Sequence, residues 1–307
     1  MSERSELGVV YTEHADLRAT PVVSVWSYET QTRGRHRRPV MRDPIGNYVY
    51  WLEPSDPLLN TILPGTETSV VVNFGDRWAA GRSLATSALL PRLAVVGPVT
   101  QTRILRVGAR VLAIGAVLPA THSQSAFGVP PAHLVDQIVP LDDLWNRSEV
   151  EVLFESLSTL PLRSRLSALC RVLVTRHAGS FDRVGHAASR AIAIRGGRVS
   201  IEEMAGRYGS TRQQFARRFS AATGMTPKMF ARVTRFQSLI HALLSTDVSE
   251  WASVAAGVGF YDQSHMINEF REFAGASPTV FFEPHGDTAD APNRQRRGRP
   301  SEWQSVK

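Results

Sequence analysis

Two segments near the end of the chain repeat one helical pattern, and this repeat restricts the possible folds more than any other feature. Ser200 opens the first segment with capping-box spacing to a glutamate three residues later, and apolar residues then follow at helical intervals. The second segment repeats the small Ala205 at Ala255 and the turn residue Gly209 at Gly259. Each segment therefore predicts a short helix, a glycine turn and a second helix, which together form a helix-turn-helix unit.

The second helix of each unit is predicted to begin just after the glycine. Ser210 or Thr211 can cap the first of these helices, and Asp262 can cap its counterpart. The offset between the units is 255 − 205 = 50 at the alanines and 270 − 219 = 51 at the phenylalanines, so the second turn is one residue longer. A Thr-Pro pair at 226–227 opens a long helix that joins the two units.

The second helices carry polar residues of the kind that contact DNA. Arg can read guanine with two hydrogen bonds and Gln or Asn can read adenine, while flanking Arg and Gln side chains suit phosphates. The predicted DNA-contacting residues are Arg207, Ser210, Thr211, Arg212, Gln213, Gln214, Arg217 and Arg218 in the first unit, and Tyr261, Gln263, Ser264, His265, Asn268 and Arg271 in the second. Two alternatives stay open: Gln213 can complete a capping box with Ser210, and His265 can be a packed or solvated residue.

The chain ahead of these units follows a different pattern. Up to residue 145, β-branched and aromatic runs, the longest being Arg103–Leu118, alternate with turn formers and indicate a β-rich barrel or sandwich. Residues 146–180 have helical spacing and predict a connector, which can support dimerisation or pack within a domain. We therefore expect an α+β fold with a β-rich domain at 1–145, that connector, an all-α domain at 181–284 and a tail at 285–307.

The tail lacks an apolar period, which predicts disorder. Its run Arg297-Gly-Arg-Pro300 resembles the core of an AT-hook, in which Gly sits deep in an A·T-rich minor groove and Arg is drawn to the groove's negative potential. A solvated basic tail explains the same residues. The candidate minor-groove residues are Arg294, Arg296, Arg297, Gly298, Arg299 and Pro300.

The charge of the chain favours a polyanionic partner. The net charge is +7 and the isoelectric point is about 10.1. Residues 181–307 contribute 17 − 12 = +5, whereas residues 1–180 contribute 18 − 16 = +2. A single cysteine, Cys170, excludes an internal disulfide, and neither a signal sequence nor a membrane-spanning apolar run is present in the sequence, so a cytoplasmic protein without a membrane partner is expected.

Catalytic motifs are missing from the sequence. It contains no phosphate-binding P-loop, no GxSxG nucleophile elbow and no CxxC or HExxH pattern, so we expect neither an enzyme nor a bound cofactor. The histidines of the β-rich part are scattered and lack metal-ligand spacing, so no metal site is assigned to His14, His36, His122 or His133.

Residues 182–283 resemble the DNA-binding domain of the AraC/XylS transcriptional regulators. The resemblance is carried by IEEMAGRYGSTRQQFARRFSAATGMTPKMFARVTRF and VAAGVGFYDQSHMINEFREFAGASPTVFF, above all by the run GF-x-DQS with its later Phe, Gly and Ser-Pro. Met266 stands where the family usually has an aromatic residue, and Ala256–Val258 and Phe281-Phe282 also vary its pattern. This resemblance implies two recognition helices that enter successive major grooves, about 34 Å apart.

The N-terminal part is similar to the β-rich sensor-type domain that precedes this DNA-binding domain in bacterial regulators. ILPGTETSVVVNFGDRW, VVGPVTQTRI and VPPAHLVDQIVPLDDLW carry the similarity, whereas residues 118–121 depart from the usual Phe-Arg-Pro-Gly-like stretch. The similarity implies a domain related to a cupin-like barrel that senses an unknown small-molecule effector or forms a homodimer. It also implies double-stranded promoter DNA and RNA polymerase as partners.

These observations predict a sequence-specific DNA-binding transcriptional regulator that lies on the nucleoid when bound to DNA. Two alternatives from other classes remain. One is an architectural DNA-binding protein with weak sequence preference, which a steep salt dependence without a preferred sequence would reveal. The other is a cupin-like small-molecule-binding protein or enzyme with an attached DNA-binding domain, which bound metal in the purified protein would favour.

Overall fold

Among the residues that the structure describes, strands dominate up to residue 140 and helices dominate beyond it. A computed structural model describes residues 6–13, 24–33, 41–42, 48–49, 59–176, 181–244 and 251–282. The strands of these ranges are β1 (Glu6–Glu13), β2 (Ser24–Arg33), β3 (Met41–Arg42), β4 (Tyr48–Val49), β5 (Leu59–Ile62), β6 (Glu67–Asn73), β7 (Ala79–Gly81), β8 (Ala88–Leu89), β9 (Leu93–Val96), β10 (Arg103–Arg106), β11 (Leu112–Pro119) and β12 (Ile138–Pro140).

Most of these strands form two antiparallel sheets. The larger sheet has the order β1-β2-β11-β6-β9-β12, and the smaller one has the order β5-β10-β7-β8. Val70 and Val72 of β6 and Ile114 of β11 are buried, because these strands lie in the middle of the larger sheet. The predicted β-rich N-terminal domain is confirmed.

The long run Arg103–Leu118 is divided into two strands, β10 in the smaller sheet and β11 in the larger one. The reason lies in the turn between them. Asp76 accepts a hydrogen bond from the Arg110 backbone N–H (2.8 Å), and a Cβ at Gly108 would lie 2.4 Å from the Asp76 Cβ. Only glycine leaves room for this close approach, so the chain turns here and crosses to the other sheet.

The helices of the described residues are α1 (Ser123–Phe127), α2 (Arg147–Thr159), α3 (Leu162–Arg176), α4 (Arg183–Ile194), α5 (Ile201–Arg207), α6 (Arg212–Thr223), α7 (Pro227–Leu244), α8 (Trp251–Val258), α9 (Gln263–Ala274) and α10 (Pro278–Phe282). Among them, none combines the length and apolarity needed to cross a membrane.

Helices α2 and α3, which lie in the predicted connector, pack against the larger sheet. Leu157, Leu166 and Leu173 are fully buried and share one hydrophobic cluster with the sheet residues. Cys170 belongs to the same cluster, and burial raises the pKa of its thiol to about 11. The apolar spacing of this helical pair therefore serves packing onto the β-rich domain.

Candidate nucleic-acid interface

The first helix-turn-helix unit consists of α5, a turn at Gly209 and α6. Ser200 caps α5 by accepting the Glu203 backbone N–H (3.3 Å), and Gly209 has a φ of +62°. Thr211 caps α6: its hydroxyl accepts the Gln214 N–H (3.2 Å), while the Gln214 side chain accepts the Thr211 N–H (3.1 Å). The cap left open by the sequence is therefore Thr211, with Gln214 as its capping-box partner.

Helix α6 separates a buried face from a polar one. Phe215 and Phe219 are buried, and the Phe219 ring meets the Phe230 ring edge-on at 5.3 Å between centroids. Gln213 and Arg217 project from the opposite face because they do not share the helical spacing of the two phenylalanines, whereas Arg212 lies in the first turn, three residues before Phe215. Arg212, Gln213 and Arg217 are all exposed.

The flanking residues of the first unit have different surroundings. Arg207 is exposed and Ser210 is half-buried, its hydroxyl donating to the Tyr208 carbonyl (3.2 Å). Arg218 pairs with Asp182 at the start of α4, with its Nε 2.7 Å from Oδ2. This ion pair raises the pKa of Arg218 and lowers the pKa of Asp182, and it fixes α6 against α4.

The second unit repeats this construction with α8 and α9. Asp262 caps α9, as predicted, by accepting the His265 backbone N–H (2.7 Å). Met266 and Phe270 are fully buried, so the residue that departs from the family pattern fills the core. All the predicted contacts of this unit are exposed at its surface: Tyr261, Gln263, Ser264, His265, Asn268 and Arg271. Tyr261 is 94% exposed and contributes nothing to the core.

An ion-pair network attaches α9 to the long helix α7. Arg232 donates from Nε to Glu269 (3.1 Å) and from Nη2 to Glu272 (2.5 Å), and these two partners raise its pKa, with the bond to Glu272 as the larger cause. The Glu269 side chain is buried, and its second oxygen has no hydrogen-bond partner. Arg232 therefore fixes the orientation of α9 against α7.

Helix α7 is common to both hydrophobic cores. Phe230 and Ala231 near its start belong to the core of the first unit, whereas Phe236 and Leu239 belong to the core of the second. The Phe236 ring contacts the Phe270 ring at 5.5 Å between centroids. Because one continuous helix is packed into both cores, the two units are held together by more than a flexible linker.

The β-rich domain touches both units. A Cβ at Gly224, which ends α6, would lie 2.7 Å from Val135 Cγ2 and 2.8 Å from the Pro131 carbonyl. Thr102 donates a hydrogen bond to the carbonyl of Phe273 in α9. Leu63, which follows β5, is buried within the core of the second unit. The N-terminal domain therefore contacts the C-terminal ends of both second helices.

Some predictions have no structural counterpart here. The six candidate minor-groove residues of the tail, Arg294 to Pro300, lie outside the described residues, as do His14 and His36. Within the described ranges, no three His, Cys, Asp or Glu side chains gather closely enough to hold a metal ion.

Comparison with known proteins gives a family match in the C-terminal part of the chain. Residues 204–283 match the family model described as a helix-turn-helix domain. A search among curated proteins found no match. Among solved structures, ToxT from Vibrio cholerae is 11% identical, with 76% of this chain and 96% of that chain covered and a TM-score of 0.44. The AraC-like transcriptional activator CuxR is 13% identical, with 84% and 87% covered and a TM-score of 0.29.

The matched domain, with its two units, makes the protein a DNA-binding transcriptional regulator. Residues 204–283 are a helix-turn-helix domain of the AraC type, as the sequence pattern indicated.

The sequence pattern did not reveal the arginines that hold this domain together. Arg232 and Arg218 pair with carboxylates that lie 37 and 36 residues away along the chain. Helical periodicity relates only residues within a few turns, so it cannot indicate such pairs. Asp182 alone gave a local signal, since an Asp just ahead of a helical run is a typical N-cap.

Proposed function

We propose that the protein reads an operator with α6 and α9, each in the major groove of one of two successive helical turns of DNA. One observation carries this proposal: both helices turn an exposed polar face outward while the shared helix α7 anchors their apolar faces. A fixed pair of recognition helices selects DNA sites in which two short sequences have a defined separation.

The two helices would contribute differently to binding. On α6, Arg212 and Arg217 combine base reading with two positive charges, so this helix would supply the larger share of affinity. On α9, Gln263 and Asn268 are neutral and would act chiefly through base edges. Arg207, which ends α5, and Arg271 of α9 are exposed arginines that suit phosphates.

We further propose that the β-rich domain regulates DNA binding. Its contacts with Gly224, at the end of α6, and with Phe273, in α9, link it to both recognition helices. A small-molecule effector or a dimer partner that shifts the β-rich domain would therefore change how the two helices meet the operator. RNA polymerase is the partner through which such a regulator would alter transcription.

The experiment is a genome-wide selection of DNA fragments by the purified full-length protein, with R212A/R217A alongside. We expect a motif with two sub-sites about one helical turn apart, and loss of selection by the variant. Arg147→Ala is the control, because this exposed arginine lies on α2 in a surface ion pair with Glu151. Binding without a motif, or a motif retained by R212A/R217A, would contradict the proposal and favour an architectural role.

A further inference from the structure

The two units are joined at a second place besides α7. The loop at Gly196–Arg198 lies between α4 and α5 and leads directly into the first unit. From this loop Arg198 reaches across to the second unit, where its Nη1 donates a hydrogen bond to the carbonyl of Gly257 in α8 (2.8 Å). The aliphatic part of the same side chain covers the turn of the second unit, since a Cβ at Gly259 would lie 2.7 Å from Arg198 Cδ.

The loop itself packs against α7, so the backbone of Arg198 is held in place. Gly197 is buried with a φ of +75°, and a Cβ there would lie 2.1 Å from the Ala231 carbonyl. Arg235 of α7 donates to the Gly197 carbonyl (3.4 Å) and places its guanidinium 5.6 Å from the centre of the Phe260 ring. Phe260 lies in the turn of the second unit. Both arginines thus span the junction between the units.

We propose that Arg198 is a positioning residue that sets the separation of the two DNA sub-sites. This inference rests on the proposed reading of DNA by two recognition helices. Helix α7 joins the two units along a single axis. Rotation of one unit relative to the other about this axis is therefore resisted only by contacts that lie off the axis. Arg198 supplies such a contact between the loop that precedes α5 and the turn that precedes α9. Loss of its guanidinium would let the two recognition helices accept separations that the intact protein rejects.

A neighbouring arginine provides a matched control. Arg195 lines the same surface depression of about 310 Å³ as Arg198 and Arg207. Its Nη1 donates to the carbonyl of Ala191 in α4 (3.1 Å), the helix that ends just before Arg195. Arg195→Met therefore removes the same charge from the same depression and leaves the junction between the units intact.

The experiment measures binding of full-length wild type, R198M and R195M to the selected operator with its two sub-sites moved apart or together in single base-pair steps. Methionine keeps an unbranched stem over Gly259 and removes the hydrogen bond to Gly257. We expect R198M to weaken the preference for the best separation over its neighbours about fivefold, the size of one net hydrogen bond, while R195M keeps the wild-type preference. Thermal unfolding checks that each variant is folded, and Arg198→Gln, whose amide is too short for Gly257, replaces R198M if that variant does not fold.

Three results would overturn the inference. An unchanged preference in R198M would refute the positioning role and leave the two-helix reading of DNA intact. An equal loss in R198M and R195M would assign the effect to charge. A wild-type protein without any preferred separation would remove the proposed function and this inference together.

Discussion

Arg218 and Asp182 form a double hydrogen bond that joins α6 to the start of α4, from Nε to Oδ2 at 2.7 Å and from Nη2 to Oδ1 at 2.9 Å. The same carboxylate caps α4 by accepting the backbone N–H groups of Val184 (2.9 Å) and Gly185 (3.0 Å). One acidic side chain thus begins α4 and orients α6. Arg218, predicted as a phosphate contact, would meet DNA with its guanidinium already held in place.

The dual role of Asp182 predicts different effects for two substitutions. D182N keeps a good capping residue and loses the charge, whereas D182A loses both, so D182A should be the less stable by about 1 kcal/mol. Urea unfolding of both variants at neutral pH measures this difference. Equal stabilities would mean that the cap contributes nothing.

The pH dependence of the same pair follows from the lowered pKa of Asp182. A carboxyl whose pKa is depressed in the folded state stabilises the protein at pH values above its ordinary pKa of 3.8. This stabilisation is lost as the pH falls through the depressed pKa. The stability advantage of wild type over D182N should therefore be constant above pH 5 and shrink below about pH 4. Unfolding measured across this range would contradict the account if the advantage grew on acidification.

His186 predicts a second pH effect, at the contact between α4 and the β-rich domain. Its Nδ1 lies 2.9 Å from the Thr121 hydroxyl and its ring meets that of His122 at 5.0 Å between centroids. Burial, and secondarily the charge of Arg190, lower its pKa below the ordinary 6.5. His186 therefore binds a proton more readily in the unfolded chain than in the folded protein. The free energy of unfolding should fall as the pH drops below 6.5.

The test of this effect compares His186→Gln with wild type. The melting temperature of the variant should fall less than that of wild type between pH 7 and pH 5.5. His133→Gln is the control, because that histidine is exposed on the β-rich domain. Parallel curves for wild type and His186→Gln would show that His186 does not respond to pH in this way.

Two glycines with the same backbone conformation test the contact between domains. Gly224 and Gly275 end α6 and α9, and each has a φ of +79°. A Cβ at Gly275 meets nothing within 4 Å, whereas one at Gly224 would overlap Pro131 and Val135 of the β-rich domain. G275A should cost about 1 kcal/mol, the strain of a left-handed alanine, and G224A should cost clearly more. Equal losses in urea unfolding would mean that the β-rich domain does not press on the end of α6.

The tail supplies a prediction from sequence alone. If Arg297-Gly-Arg-Pro300 lies in an A·T-rich minor groove, deletion of residues 294–300 should weaken binding to operators with A·T flanks more than to operators with G·C flanks. Binding titrations at one salt concentration compare the two flanks. An equal loss on both would assign the tail a purely electrostatic role.

The helix-turn-helix units could be predicted because their pattern is local: helical spacing, turn glycines and capping residues all lie within a few turns of one another. The same locality left Ser210 and Thr211 undecided as caps, since two adjacent hydroxyls satisfy one rule. The structure decides between them through the reciprocal bonds of Thr211 with Gln214.

Other features depend on contacts between distant parts of the chain. The division of Arg103–Leu118 into β10 and β11 follows from Asp76 and a close approach at Gly108. Leu63 packs into the core of the second unit from the N-terminal domain. The residues themselves carry no sign of these partners, so helical or strand periodicity could not have predicted either arrangement.

The most direct test asks whether α6 and α9 each read a different half of the operator. Binding of wild type, R212A/R217A and Q263A/N268A is measured on the selected operator and on two versions with one sub-site scrambled. We expect the affinity of each variant to be unchanged when the sub-site that its altered helix reads is scrambled. Scrambling of the other sub-site should still lower the affinity about tenfold or more. If both variants became insensitive to the same sub-site, or both stayed as sensitive as wild type to each, α6 and α9 would not read separate halves of the operator.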